Sequence, residues 1–164
     1  MVARGTRTLG CVFARYYVEL DLPAERAEAV LANGSVSWLP GLVEAANRHG
    51  DALLAEVGFG EDVRIARRVA VSLGEPIRMP TKTVLPLHWE AADGPGLFPS
   101  LDADLEIAPL GACATQLAIS ARYVPPLGRL GRVIDRALLH RVAEATIKDF
   151  LDGVRDAVLR DAAG

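Results

Sequence analysis

Residues 128–160 read GRLGRVIDRALLHRVAEATIKDFLDGVRDAVLR, and this stretch decides the fold. Placed at 100° per residue, its second half has one apolar face and one charged face. The apolar face holds Leu139, Ala143, Ile147, Phe150 and Val154, and the charged face holds Arg141, Glu144, Lys148, Asp152 and Arg155. The pattern predicts one long amphipathic helix over Gly128–Arg160 that covers another apolar surface.

That apolar surface comes from strands upstream of the helix. Leu101–Ile107 is the clearest strand, because its apolar and acidic residues alternate. Similar patterns predict six strands in an antiparallel sheet, at Thr8–Leu20, Ala52–Phe59, Val63–Leu73, Thr81–Ala91, Leu101–Ile107 and Ala112–Val124. Pro86 predicts a bulge or an edge position in its strand, because proline cannot donate to the ladder.

Two short helices are predicted after the first strand. Pro23 suits a first helical turn and Asn33-Gly34 a helix end, which predicts a helix over Ala24–Ala32. A second helix is predicted from Pro40 to Ala46, with His49-Gly50 as the break that ends it. A strand, two helices, a strand meander and a closing helix predict an α+β fold in which the last helix lies across the sheet.

A curved sheet covered by a helix leaves a cavity, and cavities bind small molecules. Alternation predicts a concave, mostly apolar wall for this cavity. Its predicted ligand-binding residues are Thr83, Leu85, Leu87, Trp89, Leu105, Thr115, Leu117, Ile119 and Tyr123. Its few polar groups would come from Thr83, Trp89, Thr115 and Tyr123. Alternatively, these side chains simply fill the interior, and the sequence leaves both alternatives open.

The first half of the closing helix reverses the pattern. Its apolar face, extended towards the N-terminus, meets Arg132, Arg136 and His140. If the helix is straight, these three groups point over the mouth of the cavity, where they would meet a carboxylate, phosphate or phenolate. Arg136 and His140 then join the predicted ligand-binding residues. In the second explanation, a kink between Gly131 and His140 rotates this half and leaves the basic groups solvated.

Three segments are similar to one known group of proteins: FPSLDADL (98–105), RYVPPLG (122–128) and LLHRVAEAT (138–146). With the order of elements along nearly the whole chain, they resemble the START-like or Bet v 1-like (SRPBCC) superfamily, in its polyketide cyclase/dehydrase-like branch. The resemblance implies a helix-grip fold, with a bent sheet around a long C-terminal helix, in one ligand-binding domain over residues 1–164. It implies no catalytic residue, because the superfamily has no shared catalytic motif. Larger members have seven strands, whereas six are predicted here.

Composition argues against several classes of function. The 164 residues are 51% hydrophobic and 24% charged, with a formal net charge of −3, which is typical of a soluble domain and unfavourable for general nucleic-acid binding. No apolar run approaches the ~20 residues of a membrane span, and no signal peptide is recognised, so a cytoplasmic location is expected. The three histidines lie far apart and no phosphate-binding loop is present, so neither a metal nor a cofactor is predicted.

These observations predict binding of a hydrophobic small molecule, such as a lipid, an aromatic compound or a polyketide-like chain. A second hypothesis, implied by the resemblance, is a polyketide cyclase or aromatase in which His140, Tyr123 and Arg136 move protons and stabilise an enolate. A third is a homodimer held by apolar residues on the outer side of the closing helix. These are Val133, Ile134, Ala137 and Leu138.

Overall fold

The computed structural model describes residues 11–33, 36–54, 69–91, 100–124 and 136–164. In these ranges the strands are β1 (Val12–Leu20), β2 (Val69–Leu73), β3 (Ile77–Arg78), β4 (Thr83–Ala91), β5 (Ser100–Pro109) and β6 (Thr115–Val124). The helices are α1 (Ala24–Glu28), α2 (Leu39–Leu54) and α3 (Arg136–Ala163). A π-helical turn, Ala29–Asn33, continues α1.

The six described strands form one antiparallel sheet in the order β1-β6-β5-β4-β2, and β3 pairs with β4 next to β2. The sheet is curved and open, and α3 covers its inner face. The predicted α+β helix-grip fold is therefore confirmed. Six strands are described and six were predicted, but the two sets differ: β3 was not predicted, and no described strand corresponds to the predicted Ala52–Phe59.

Residues on the inner face line up in rows across the sheet, because each strand presents alternate side chains to that face. The row at one end contains Val12, Tyr123, Leu101, Trp89 and Val71. The next contains Ala14, Ala121, Ala103, Leu87 and Leu73, and the third contains Tyr16, Ile119, Leu105 and Leu85. From the helix side, the Phe150 ring packs edge-on against Trp89 with the ring centroids 5.1 Å apart.

The predicted apolar face of α3 is the one that faces the core. Ala143, Ile147, Phe150 and Val154 are at most 1% exposed, and Leu139 packs against them from the side. Helix α3 runs along β1 in the same direction: its start borders Val12, and Lys148 lies 5.5 Å from the Tyr16 ring. The spacing is consistent, since eight helical residues and four strand residues both span roughly 12–13 Å.

Helix α2 packs antiparallel to α3. Near its start, Leu42 contacts the backbone of Gly153, where an added Cβ would lie 2.8 Å from a Leu42 methyl group. Near its end, His49 pairs with Asp149. The two helices are therefore in contact from Leu42 to His49, and the missing side chain of Gly153 allows the close approach at one end of this contact.

The prediction that His49-Gly50 ends the second helix is wrong, because α2 continues to Leu54. The predicted strand Ala52–Phe59 is wrong over residues 52–54 for the same reason, and residues 55–59 lie outside the described ranges. Gly50 is buried in α2, one residue after the His49–Asp149 pair. Packing against α3 stabilises the last turn of α2 in spite of the low helix propensity of glycine.

The predicted irregularity at Pro86 is present, but the edge position is wrong. Strand β4 has β5 on one side and β2 and β3 on the other. Opposite Pro86, residues 74–76 separate β2 from β3, which both pair with β4, and the Gly74 N–H donates to the Pro86 carbonyl at 2.7 Å. Pro86 has no N–H to donate to this side of the ladder. A Cβ on Gly74 would lie 3.1 Å from the proline ring, so a glycine at this position lets the neighbouring segment approach the ring closely.

The remaining predicted elements fall close to the described ones. The predicted helix over Ala24–Ala32 is an α-helical turn followed by a π-helical turn, with Pro23 at the N-cap. The predicted strand Val63–Leu73 is described from Val69 onward. Helix α3 is continuous from Arg136, so there is no break at residues 136–140, and residues 128–135 of the predicted helix lie outside the described ranges.

Candidate ligand-binding cavity

Nine of the predicted ligand-binding residues share the inner face of the sheet, as expected from alternation. They are Thr83, Leu85, Leu87, Trp89, Leu105, Thr115, Leu117, Ile119 and Tyr123. All nine are buried, with exposed fractions between 0 and 8%. The structure therefore brings these residues together and packs them closely under the helices.

The hydroxyl groups of Thr83 and Thr115 hold α1 and the residues just before it against the sheet. Thr83 Oγ1 donates to a carboxylate oxygen of Glu28 at 2.9 Å, and Thr115 Oγ1 donates to the Leu22 carbonyl at 2.5 Å. Both threonines lie towards the α1 end of the inner face. These two predicted polar groups are therefore already engaged within the protein.

Trp89 differs from the two threonines, because its indole N–H is buried without a hydrogen-bond partner among the described residues. A buried donor without a partner costs free energy that a ligand or water acceptor would recover. Trp89 lies in the same end row as Val12. This end of the inner face is opposite the one tied to α1.

A cavity of about 580 Å³ opens at this end, between the start of β1 and the start of α3. Its described lining is Cys11, Val12, Phe13, Ala137 and His140. Phe13 is 58% exposed although it is a large aromatic side chain, and Cys11 is an exposed free thiol. We call this the mouth cavity. It lies at the edge of the described sheet, where the start of β1 meets the start of α3.

His140 is the member of the predicted site that borders the mouth cavity. It is half-exposed, and its Nε2 lies 3.2 Å from a carboxylate oxygen of Glu144 on the next turn of α3. Arg132 and the side chain of Arg136 lie outside what the structure describes. The predicted direction of Arg132, Arg136 and His140 over the cavity therefore stays a prediction.

A second cleft of about 390 Å³ continues along the same seam between β1 and α3. We call it the seam cleft. Its lining is Ala14, Arg15, Tyr16, His49, Leu53, Arg141, Glu144, Ala145, Ile147 and Lys148. Because β1 contributes residues 11–13 to the mouth cavity and 14–16 to the seam cleft, the two are neighbours along the strand.

A third cavity, of about 370 Å³, lies on the outer face of the sheet. Its lining includes His88, Asp102, Asp104 and Arg122, and the His88 Nδ1 lies 2.6 Å from an Asp102 carboxylate oxygen. The charged side chains are exposed to solvent. This surface suits an apolar ligand less well than the mouth cavity does.

Among the residues that the structure describes, no group of three or more His, Cys, Asp or Glu side chains could hold a metal ion. In the same part of the chain, no helix has the length and apolar character required to cross a membrane.

Sequence reasoning missed most of the mouth cavity. Cys11, Val12, Phe13 and Ala137 were not among the predicted ligand-binding residues, although they form its described lining with His140. Phe13 carried a usable signal, because alternation places this aromatic on the outer face of a strand. An exposed aromatic beside a cavity is a common feature of binding surfaces.

The chain shares its fold with a conserved protein from Geobacillus kaustophilus, at 18% identity and a TM-score of 0.52, covering 91% of this chain and 96% of the other. It is also similar to a START superfamily protein from Mycobacterium smegmatis (11% identity, TM-score 0.42, 92% and 99% covered). A third similar structure is the Zhui aromatase/cyclase from Streptomyces sp. R1128 (16% identity, TM-score 0.35, 94% of each chain covered). The likeness to the Geobacillus protein concerns the fold alone. No protein-family model matches the sequence, and no curated protein matches it.

Proposed function

We propose that the chain, as one domain over residues 1–164, binds a hydrophobic small molecule between its sheet and its closing helix, and that the ligand occupies the mouth cavity. The observation that carries this proposal is the open space of about 580 Å³ between β1 and α3. Ligand sites of ~300–1,000 Å³ are typical of proteins that bind small molecules.

The chemistry of the lining supports an apolar ligand with one polar group. Val12, Phe13 and Ala137 offer apolar surface, while His140 and Cys11 offer a hydrogen-bonding nitrogen and a thiol. Burial of about 200 Å² of apolar ligand surface contributes on the order of 5 kcal/mol before the cost of ordering the ligand. Binding therefore needs no deep polar network.

The end row of the sheet adjoins this proposed site through Val12. Val12 borders the cavity and pairs across the sheet with Tyr123, which in turn pairs with Leu101. Because the nine inner-face residues are at most 8% exposed, a ligand reaches them only if side chains at the mouth move aside. We expect the ligand to contact Val12 and the exposed ring of Phe13 first.

Catalysis by His140, Tyr123 and Arg136 stays a prediction, and so do the homodimer through the start of α3 and the cytoplasmic location. Ligand binding is the proposal that a described cavity supports.

Filling the mouth cavity tests the proposal. A neutral fluorescent probe, N-phenyl-1-naphthylamine, should bind the wild-type protein saturably, and Ala137→Phe should weaken its binding at least about tenfold by occupying the cavity. Ala163→Phe is the matched control, because Ala163 is also exposed on α3 but lies in the last turn. Absence of saturable binding to the wild type, or equal weakening by both substitutions, would refute the proposal.

A further inference from the structure

The seam cleft combines an apolar floor with a cationic rim. Ala14 and Ile147 are buried at its base, and Tyr16 and Leu53 are partly buried beside them. Three arginine or lysine residues line it, Arg15 from β1 and Arg141 and Lys148 two turns apart on α3, together with one carboxylate, Glu144. Such a rim is unexpected in a chain whose formal net charge is −3.

Two of these cations already have carboxylate partners. Arg15 lies 3.6 Å from Glu106, and Lys148 donates to Asp152 at 2.6 Å. The hydrogen bond to Asp152 raises the pKa of Lys148, so this side chain stays charged at neutral pH. Both partners lie outside the lining of the cleft, to which Arg15 and Lys148 contribute.

Arg141 is the cation without such a partner. Its side chain is exposed and forms no ion pair or hydrogen bond with any described residue. It follows His140 directly in α3, so a residue that lines the seam cleft is next in sequence to one that lines the mouth cavity. Glu144 lies 3.2 Å from the His140 Nε2.

We propose that the ligand is an organic anion, a carboxylate with an aliphatic or aromatic body, and that Arg141 binds its carboxylate group. This inference rests on the proposed function, since the apolar body would occupy the mouth cavity. A guanidinium group matches the planar, two-oxygen geometry of a carboxylate. A singly charged head group is favoured over a phosphate dianion, because a single unpaired cation and a neighbouring Glu144 offer little to balance a second charge.

Two probes with the same eight-carbon chain test whether the protein prefers a negatively charged ligand. Titration calorimetry with octanoate and with octan-1-ol compares an anion with a neutral alcohol in the wild type, in Arg141→Gln and in Arg160→Gln. Arg160 is a matched control, because it is also an exposed arginine of α3 and lies outside the lining of both clefts. Both substitutions remove one positive charge, so the change in net charge is the same.

The expected result is tighter binding of octanoate than of octan-1-ol to the wild type. Arg141→Gln should weaken octanoate about fivefold, the size expected for an exposed pair of opposite charges, and should leave octan-1-ol unchanged. Arg160→Gln should leave both unchanged. If octanoate and octan-1-ol bind equally in all three proteins, the anion proposal is overturned while the proposed function stands. If neither probe binds the wild type, both fall.

Discussion

Replacing Glu28 by alanine tests whether the buried hydroxyl of Thr83 serves the fold or a ligand. Glu28 ends α1, and its carboxylate joins the helix to two strands. It accepts hydrogen bonds from Arg78 Nε at 2.7 Å and from Thr83 Oγ1 at 2.9 Å. The side chain of Glu28 is 20% exposed and Thr83 is 8% exposed, so the contact with Thr83 is the protected one.

The two contacts contribute differently. Arg78 is 64% exposed, so its ion pair contributes only about 0–1 kcal/mol. Loss of the carboxylate leaves the Thr83 hydroxyl buried without its acceptor, which costs about 1–3 kcal/mol. We therefore expect Glu28→Ala to lower the free energy of unfolding by about 1–4 kcal/mol. For a chain of this length, each kcal/mol lowers Tm by roughly 2–4 °C.

Urea unfolding followed by circular dichroism measures this change. Glu25→Ala is the control, because Glu25 is an exposed glutamate of the same helix. Thr83→Val removes the hydroxyl and keeps the shape of the side chain, so Glu28→Ala should cost less in the Thr83→Val background than in the wild type. Additive effects, or equal losses for Glu28→Ala and Glu25→Ala, would contradict the reasoning. Weaker binding of N-phenyl-1-naphthylamine to Thr83→Val would show that the hydroxyl contacts a ligand.

Two further predictions concern α3. Phe150→Ala should lower the free energy of unfolding by about 3–5 kcal/mol, because it removes a ring that is 1% exposed and packs against Trp89. Phe150→Leu should lower it less, and urea unfolding of both variants checks this order. If the start of α3 holds a homodimer, the wild type should sediment at twice the chain mass of 17.5 kDa and Leu138→Glu at 17.5 kDa. A wild type that sediments as a monomer would dismiss the dimer.

Local periodicity was sufficient to predict most of the sheet. In β4, β5 and β6 the alternation of apolar and polar residues assigns side chains such as Leu85, Leu105 and Ile119 to the inner face, where they are buried. The 100° spacing of Ile147 and Phe150 assigns the buried face of α3 in the same way. These predictions hold because each depends on a repeat within one element.

Prediction failed where one element depends on a partner distant in sequence. Gly50 indicated a helix end, yet α2 continues to Leu54 with its last turns against α3, some hundred residues further along. The hydroxyls of Thr83 and Thr115 looked available for a ligand, because nothing in β4 or β6 indicates that Glu28 of α1 and the Leu22 carbonyl just before α1 are their acceptors. Tertiary contacts override local propensity at both places.

The amino-acid sequence by itself determined which face of each strand and of the closing helix is buried, because side-chain direction repeats with the backbone. Only the tertiary structure decided where space remains. Val12 and Phe13 point to opposite faces of β1, yet both border the mouth cavity, which lies where β1, at the edge of the described sheet, meets the start of α3. His140 reaches the same cavity from more than a hundred residues away, and that meeting depends on how the helix lies along the strand.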